Sequence, residues 1–95
     1  MPLTILAHIT AAPEKADLVR SELEKLLEPT RAEAGCLQYD LHVDNANPNL
    51  FVMFENWTDK NALDAHLIQP HIAAFGAATK GAIAGFSLNE LTKQG

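Results

Sequence analysis

The chain reads as an α+β protein of the ferredoxin-like order β-α-β-β-α-β, built on one four-stranded antiparallel sheet. Three observations predict this. The 95 residues suffice for a single domain, 1–95, and leave no room for a second. Segments Cys36–Val43 and Leu50–Trp57 carry strand patterning on either side of an Asn-rich turn. Apolar residues at spacings of three and four precede that pair, and two stretches with helix-start signals follow it.

Thr4 to Thr10 is the first strand. Pro13 suits the first turn of a helix, where an amide would lack a partner anyway, and that helix is expected to run to about Glu33. Ala16, Val19, Leu23, Leu26 and Leu27 give it one apolar stripe. Pro29 is expected to kink it or end its regular part, and Gly35 stands where a left-handed C-terminal cap is wanted. Cys36 to Val43 then alternates, with Leu37, Tyr39, Leu41 and Val43 on one side and Gln38, Asp40 and His42 on the other, the period of a half-buried strand. Asp44 to Asn49 forms the hairpin loop. In Leu50 to Trp57 both faces are largely apolar, Phe51, Met53 and Trp57 on one and Val52 and Phe54 on the other, so both ask for cover. Thr58 or Asp59 can cap a short helix through about Leu67, Pro70 starts another to about Lys80, and Ile83 to Leu91 is the last strand.

Composition narrows the function classes. Seven Lys and Arg against twelve Asp and Glu give a net charge of −5, and the basic residues are scattered beside acids, which argues against a nucleic-acid groove. No apolar run approaches the ~18 residues of a membrane span, and Met1-Pro2-Leu3 lacks a signal-peptide pattern, so a cytoplasmic protein with no membrane partner is expected. The lone Cys36 has no second thiol for a disulfide or a zinc site and reads as a small buried hydrophobe. Two amphipathic helices can cover one side of a four-stranded sheet, and nothing remains for the other side. A homodimer with its two sheets face to face is therefore expected.

The chemistry concentrates between Glu55 and Phe75, where a carboxylate, an indole and two imidazoles stand beside apolar residues. The ordered set Glu33-Ala34-Gly35-Cys36-Leu37-Gln38-Tyr39, Phe54-Glu55-Asn56-Trp57 and Ala65-His66-Leu67-Ile68-Gln69-Pro70-His71 with Phe75 resembles the antibiotic biosynthesis monooxygenase domain, most of all its quinol-monooxygenase branch. The resemblance covers nearly the whole chain. It implies a dimeric α+β barrel and an oxidoreductase that needs no cofactor, acting with dioxygen on a small aromatic, quinol-like substrate. The family also contains haem-degrading enzymes and an isomerase of a quorum-signal metabolite. Two alternatives therefore stand: an isomerase of a small oxygenated metabolite, and a non-catalytic ligand-binding or stress-response module.

A cofactor-free oxygenase must turn its substrate into an electron-rich anion that can pass an electron to triplet dioxygen, which calls for a base in a dry pocket. His66 is the expected base, with Glu55 orienting it or sharing its proton. Trp57, Phe75 and Phe54 are expected to shape the pocket, His71 to add a second imidazole, and Tyr39 to hydrogen-bond either a substrate oxygen or a backbone carbonyl. His8 is expected at the cleft or the dimer contact, and His42 in solvent. Glu55 has a purely structural reading as well, an ion pair across the dimer to Arg31. His66 and His71 are five residues apart, about 140° around one helix, and Pro70 interrupts that helix, so a shared metal is not expected. The haem-degrading branch resembles a pattern with an Asn on the first strand, where this chain has Ala7 and His8, and flavin or nicotinamide would want a Gly-rich turn that is missing.

Overall fold

The computed structural model describes residues 2–95. Its elements are β1 (Leu3–Ala11), α1 (Ala16–Arg31), β2 (Cys36–Val43), β3 (Leu50–Trp57), α2 (Lys60–Leu67), α3 (Pro70–Ala78) and β4 (Ile83–Leu91). The strands form one antiparallel sheet in the order β2-β3-β1-β4, so the predicted fold class holds, with two consecutive helices in the second crossover. None of the described helices is long and apolar enough to cross a membrane.

Two expectations about α1 need correction. Pro13 and Glu14 lie in a turn, with Glu14 at a φ of 66°, so the helix begins only at Ala16. Pro29 does not end the helix, which continues through it to Arg31, so the proline sits in the last turn.

Residue parity along the strands decides which side chains meet the helices. Ile5, Ala7, Ile9 and Ala11 of β1 and Phe51, Met53, Glu55 and Trp57 of β3 are buried on one face, against Val19, Leu23 and Leu26 of α1 and Leu63 of α2. Each large apolar side chain buried there contributes about 1.5–3 kcal/mol. An exposed ion pair such as Lys25–Glu22 or Lys60–Asp64 contributes roughly 0–1 kcal/mol, so helix-on-sheet burial holds the fold.

The other face carries Leu6, His8, Val52 and Phe54, all half-buried, and no described element crosses it. Phe54 pairs with Leu6 and His8 with Val52 in the ladder, one residue out of phase with the helix-covered set. Phe54 is thereby removed from the pocket the sequence assigned it to, and of the two places expected for His8 the cleft is ruled out, leaving the open face where a dimer contact was expected. A strand turns successive side chains to opposite faces, and both follow the wrong parity.

The alternation expected in β2 is broken at its start. A register shift between Cys36 and Gln38 lets Cys36 pair with Trp57 and Tyr39 with Glu55, so both face the helices while Leu37 is 57% exposed.

Gly35, just before this bulge, fixes how the end of α1 meets α2. Its φ is 88°, and a Cβ there would lie 2.7 Å from the Ala62 Cβ and 2.8 Å from the Thr58 Oγ1. The Thr58 amide donates to the Gly35 carbonyl at 2.9 Å, which locks the approach. Gly35→Ala should therefore cost at least about 2 kcal/mol in urea unfolding, from left-handed backbone strain plus the clash. An unchanged midpoint would show that the turn can relax.

Candidate active site

Three short-range decisions bring the reactive side chains together. Glu33 follows α1, its amide bonded to the Thr30 carbonyl and its carbonyl accepting from the Cys36 amide, and this tight turn aims its carboxylate away from the sheet edge toward α2 and α3. His66 stands in the last turn of α2, a helix begun by the Asp59 side chain accepting from the Ala62 amide. His71 follows Pro70, which takes the first helical position of α3.

The three meet on one oxygen. Glu33 Oε2 lies 2.8 Å from His66 Nδ1 and 2.7 Å from His71 Nε2. The side chains of Glu33 and His66 are 10% and 4% exposed, and that of His71 19%. No lysine or arginine pairs with Glu33 among the described residues, so the two imidazoles alone face its charge. Arg31, the last residue of α1, donates through Nε to the Tyr39 carbonyl at 3.0 Å and pairs with Asp40.

Beside this cluster, Glu55 Oε1 accepts from the Trp57 indole N–H at 2.8 Å. Burial pushes the Glu55 carboxyl up to about 7; the indole bond opposes that shift and the charge of Glu33 adds to it. Burial also drives the Tyr39 phenol well above its ordinary value, with the charge of Glu55 adding, so Tyr39 remains a neutral donor. The His66 ring packs on Trp57, centroids 4.7 Å apart, and meets Tyr39 edge-on at 5.5 Å.

A cavity of about 120 Å³ lies between helices and sheet, lined by Tyr39, Glu55 and His66 among otherwise apolar residues that include Leu63, Ile72, Phe75 and Leu88. A larger hollow of about 800 Å³ lies on the open sheet face around Thr4, Phe54, Asn56 and Leu91, with Lys93 its one charged neighbour. The smaller cavity is the candidate site, because there titratable groups converge in an apolar wall.

The profile described as antibiotic biosynthesis monooxygenase matches residues 2–78. The chain belongs to the antibiotic biosynthesis monooxygenase family. It is 33% identical over 89 residues to "Probable quinol monooxygenase YgiN" of Escherichia coli, covering 83% of this chain and 86% of that protein. The crystal structure of PA3566 from Pseudomonas aeruginosa superposes with a TM-score of 0.95 at 41% identity, covering 99% of this chain and 95% of that one. Rv0793 from Mycobacterium tuberculosis superposes at 0.90 with 27% identity over 100% and 97% of the two chains.

Within this family member, the residues picked from sequence separate into layers. His66, Glu55, Tyr39 and Phe75 line the cavity. Trp57 is fully buried behind His66, and His71 stands outside, bound to Glu33. Phe54 and His8 are on the far face. Two pairings are corrected: the carboxylate at His66 is Glu33 rather than Glu55, and Glu55 engages Trp57 rather than Arg31. The expected divergence of His66 and His71 is also overturned, since they lie on separate helices and reach one carboxylate. Each of the three offers a ligand atom, all within 4.8 Å of one another. Glu33 was legible only as part of a motif; its partners lie 33 and 38 residues downstream, beyond any local pattern.

The Glu55 shift sets a pH dependence of stability. Because its carboxyl titrates near 7 when folded and near 4.5 when unfolded, the folded state binds more protons between these values, and stability falls as pH rises through that window. Urea unfolding at pH 5 and pH 7.5 should show wild type losing about 2 kcal/mol relative to Glu55→Gln, whose side chain stays neutral. Parallel profiles would refute the buried, protonated assignment.

Proposed function

We propose that this protein is a cofactor-independent monooxygenase of a one-ring, quinol-like substrate, with His66 as the base and Glu55 as the acid. One observation carries the reading: His66 spends Nδ1 on Glu33 while its ring lines a nearly apolar cavity. An ionised carboxylate only accepts, so Nδ1 carries the imidazole hydrogen and Nε2 keeps a lone pair. Nε2 has no hydrogen-bond partner among the described residues and is free to take a phenolic proton.

The electrons then come from the substrate. The phenolate passes one electron to dioxygen, the resulting radical pair joins as a ring hydroperoxide, and the O–O bond breaks with release of water, leaving a hydroxylated quinone. A hydroquinone plus dioxygen thus gives a hydroxyquinone plus water, with no outside reductant. Glu55, neutral below about pH 7, protonates the peroxide and then takes the hydrogen of the peroxidised ring carbon as a proton while the O–O bond breaks, and the proton held by His66 completes the water, so that both groups return to their starting states. Tyr39 donates to the second ring oxygen, and Trp57 holds the His66 plane. Burial of these groups strengthens each interaction by excluding water.

Cavity size favours single rings. An engineered apolar cavity of about 150 Å³ accommodates benzene, and this one is of about 120 Å³, its lining including Leu67 and Phe86, which are 48% and 64% exposed. A second copy of the chain is proposed to cover the open sheet face, where burying Leu6, Val52 and Phe54 removes their contact with water.

Oxygen uptake with substituted hydroquinones tests the assignment. Single-ring hydroquinones should turn over and three-ring anthrones should not, and the rate should fall above about pH 7 as Glu55 loses its proton. His66→Ala should lower the rate at least about 10²-fold; undiminished turnover in that variant removes His66 as base, and turnover under strict anaerobiosis would mark an isomerase instead. Light scattering at micromolar concentration should give twice the 10.3 kDa chain mass, and a monomer would remove the sheet-to-sheet contact.

A further inference from the structure

We infer that Glu33, His66 and His71 form a binding site for a divalent transition-metal cation, and that filling it withdraws His66 from proton transfer. The first argument is charge. Glu33 is nine-tenths buried, no lysine or arginine pairs with it among the described residues, and two imidazoles are its whole compensation. A buried carboxylate with neutral partners leaves an excess negative charge, which a cation held at the same point neutralises directly.

The second argument is donor chemistry. Two imidazole nitrogens and one carboxylate oxygen within 4.8 Å of one another are the donor set that suits zinc and its transition-metal neighbours. Metal–ligand distances of about 2.0–2.2 Å place neighbouring ligand atoms about 3.3 Å apart in a tetrahedral shell. The present separations of 2.7 and 2.8 Å are hydrogen-bond distances, so the carboxylate must withdraw by about half an ångström, while the two imidazole nitrogens, within 4.8 Å of one another, must draw together toward that spacing. Glu33 is carried on a turn and His71 on the first turn of a nine-residue helix, elements with more freedom than the sheet. No proton need leave the site: the hydrogens on His66 Nδ1 and His71 Nε2 move to the other nitrogen of each ring as the metal takes their places.

The third argument is access. Glu33 and His71 also line a surface depression of about 500 Å³ between the end of α1 and the α2–α3 junction, with Pro29, Ala65 and Gln69 around it. A cation can arrive from solvent there without crossing the substrate cavity, and water can fill the remaining coordination positions.

The consequence for His66 rests on the reading given under Proposed function. With Nδ1 on a metal, the neutral ring carries its hydrogen on Nε2 and presents a donor to the cavity where the base needs a lone pair. Occupancy therefore turns the base off, and a metal bound outside the substrate cavity becomes an inhibitor.

The test uses the full chain, stripped with a chelator and dialysed. Calorimetric titration with zinc chloride should give one equivalent per chain, and His71→Ala and Glu33→Gln should each weaken binding at least tenfold, while His42→Ala on the open sheet face leaves it unchanged. Absence of binding, or wild-type affinity in either cluster variant, overturns the site. Zinc should suppress quinol-dependent oxygen uptake by wild type and spare whatever turnover His71→Ala retains; site-dependent binding with undiminished wild-type turnover overturns the switch. If His66→Ala proves as active as wild type, the catalytic reading falls alone, and the binding isotherms still decide the metal site.

Discussion

One carboxylate organises the reactive end of this protein. Glu33 Oε2 receives an imidazole from α2 and another from α3, so a residue in the turn after α1 ties the two crossover helices to the first. A buried carboxylate left unpaired would cost several kcal/mol, which makes the contact obligatory rather than decorative. It holds His66 at Nδ1, with the ring packed on Trp57 and lining the cavity. Gly35 makes the geometry possible: only a residue without a Cβ can pass so close to Ala62 and Thr58 while adopting a positive φ.

The two carboxylates near the cavity have different surroundings. Glu33 meets two imidazole nitrogens, whereas Glu55 has one indole donor, lies 4% exposed on the core face of β3, and is pushed toward neutrality by burial. The burial that raises the Glu55 value belongs to the same helix-on-sheet packing that stabilises the core.

Much of the fold was legible locally. The Asn-rich loop, the apolar stripe of α1, Asp59 and Pro70 as helix starters and the family motifs all mark elements where the structure has them. Errors arose where a local rule met tertiary competition. Pro29 is tolerated because it falls in the last turn of a helix anchored by buried Val19, Leu23 and Leu26. Leu37 breaks the alternation because a bulge lets both Cys36 and Tyr39 face the helices.

By itself the sequence determined the family, the order of elements and which residue types were available for proton transfer, since these follow from periodicity, turn chemistry and motif. Tertiary structure decided which of them meet. Strand parity sent Phe54 and His8 to the far face while keeping Glu55 and Trp57 inside, and the turn at Gly35 delivered Glu33 to two histidines that a helical count had set apart. Such pairings depend on the packing of elements more than thirty residues apart, and no local regularity in a chain encodes the distance between two side chains that approach from different helices.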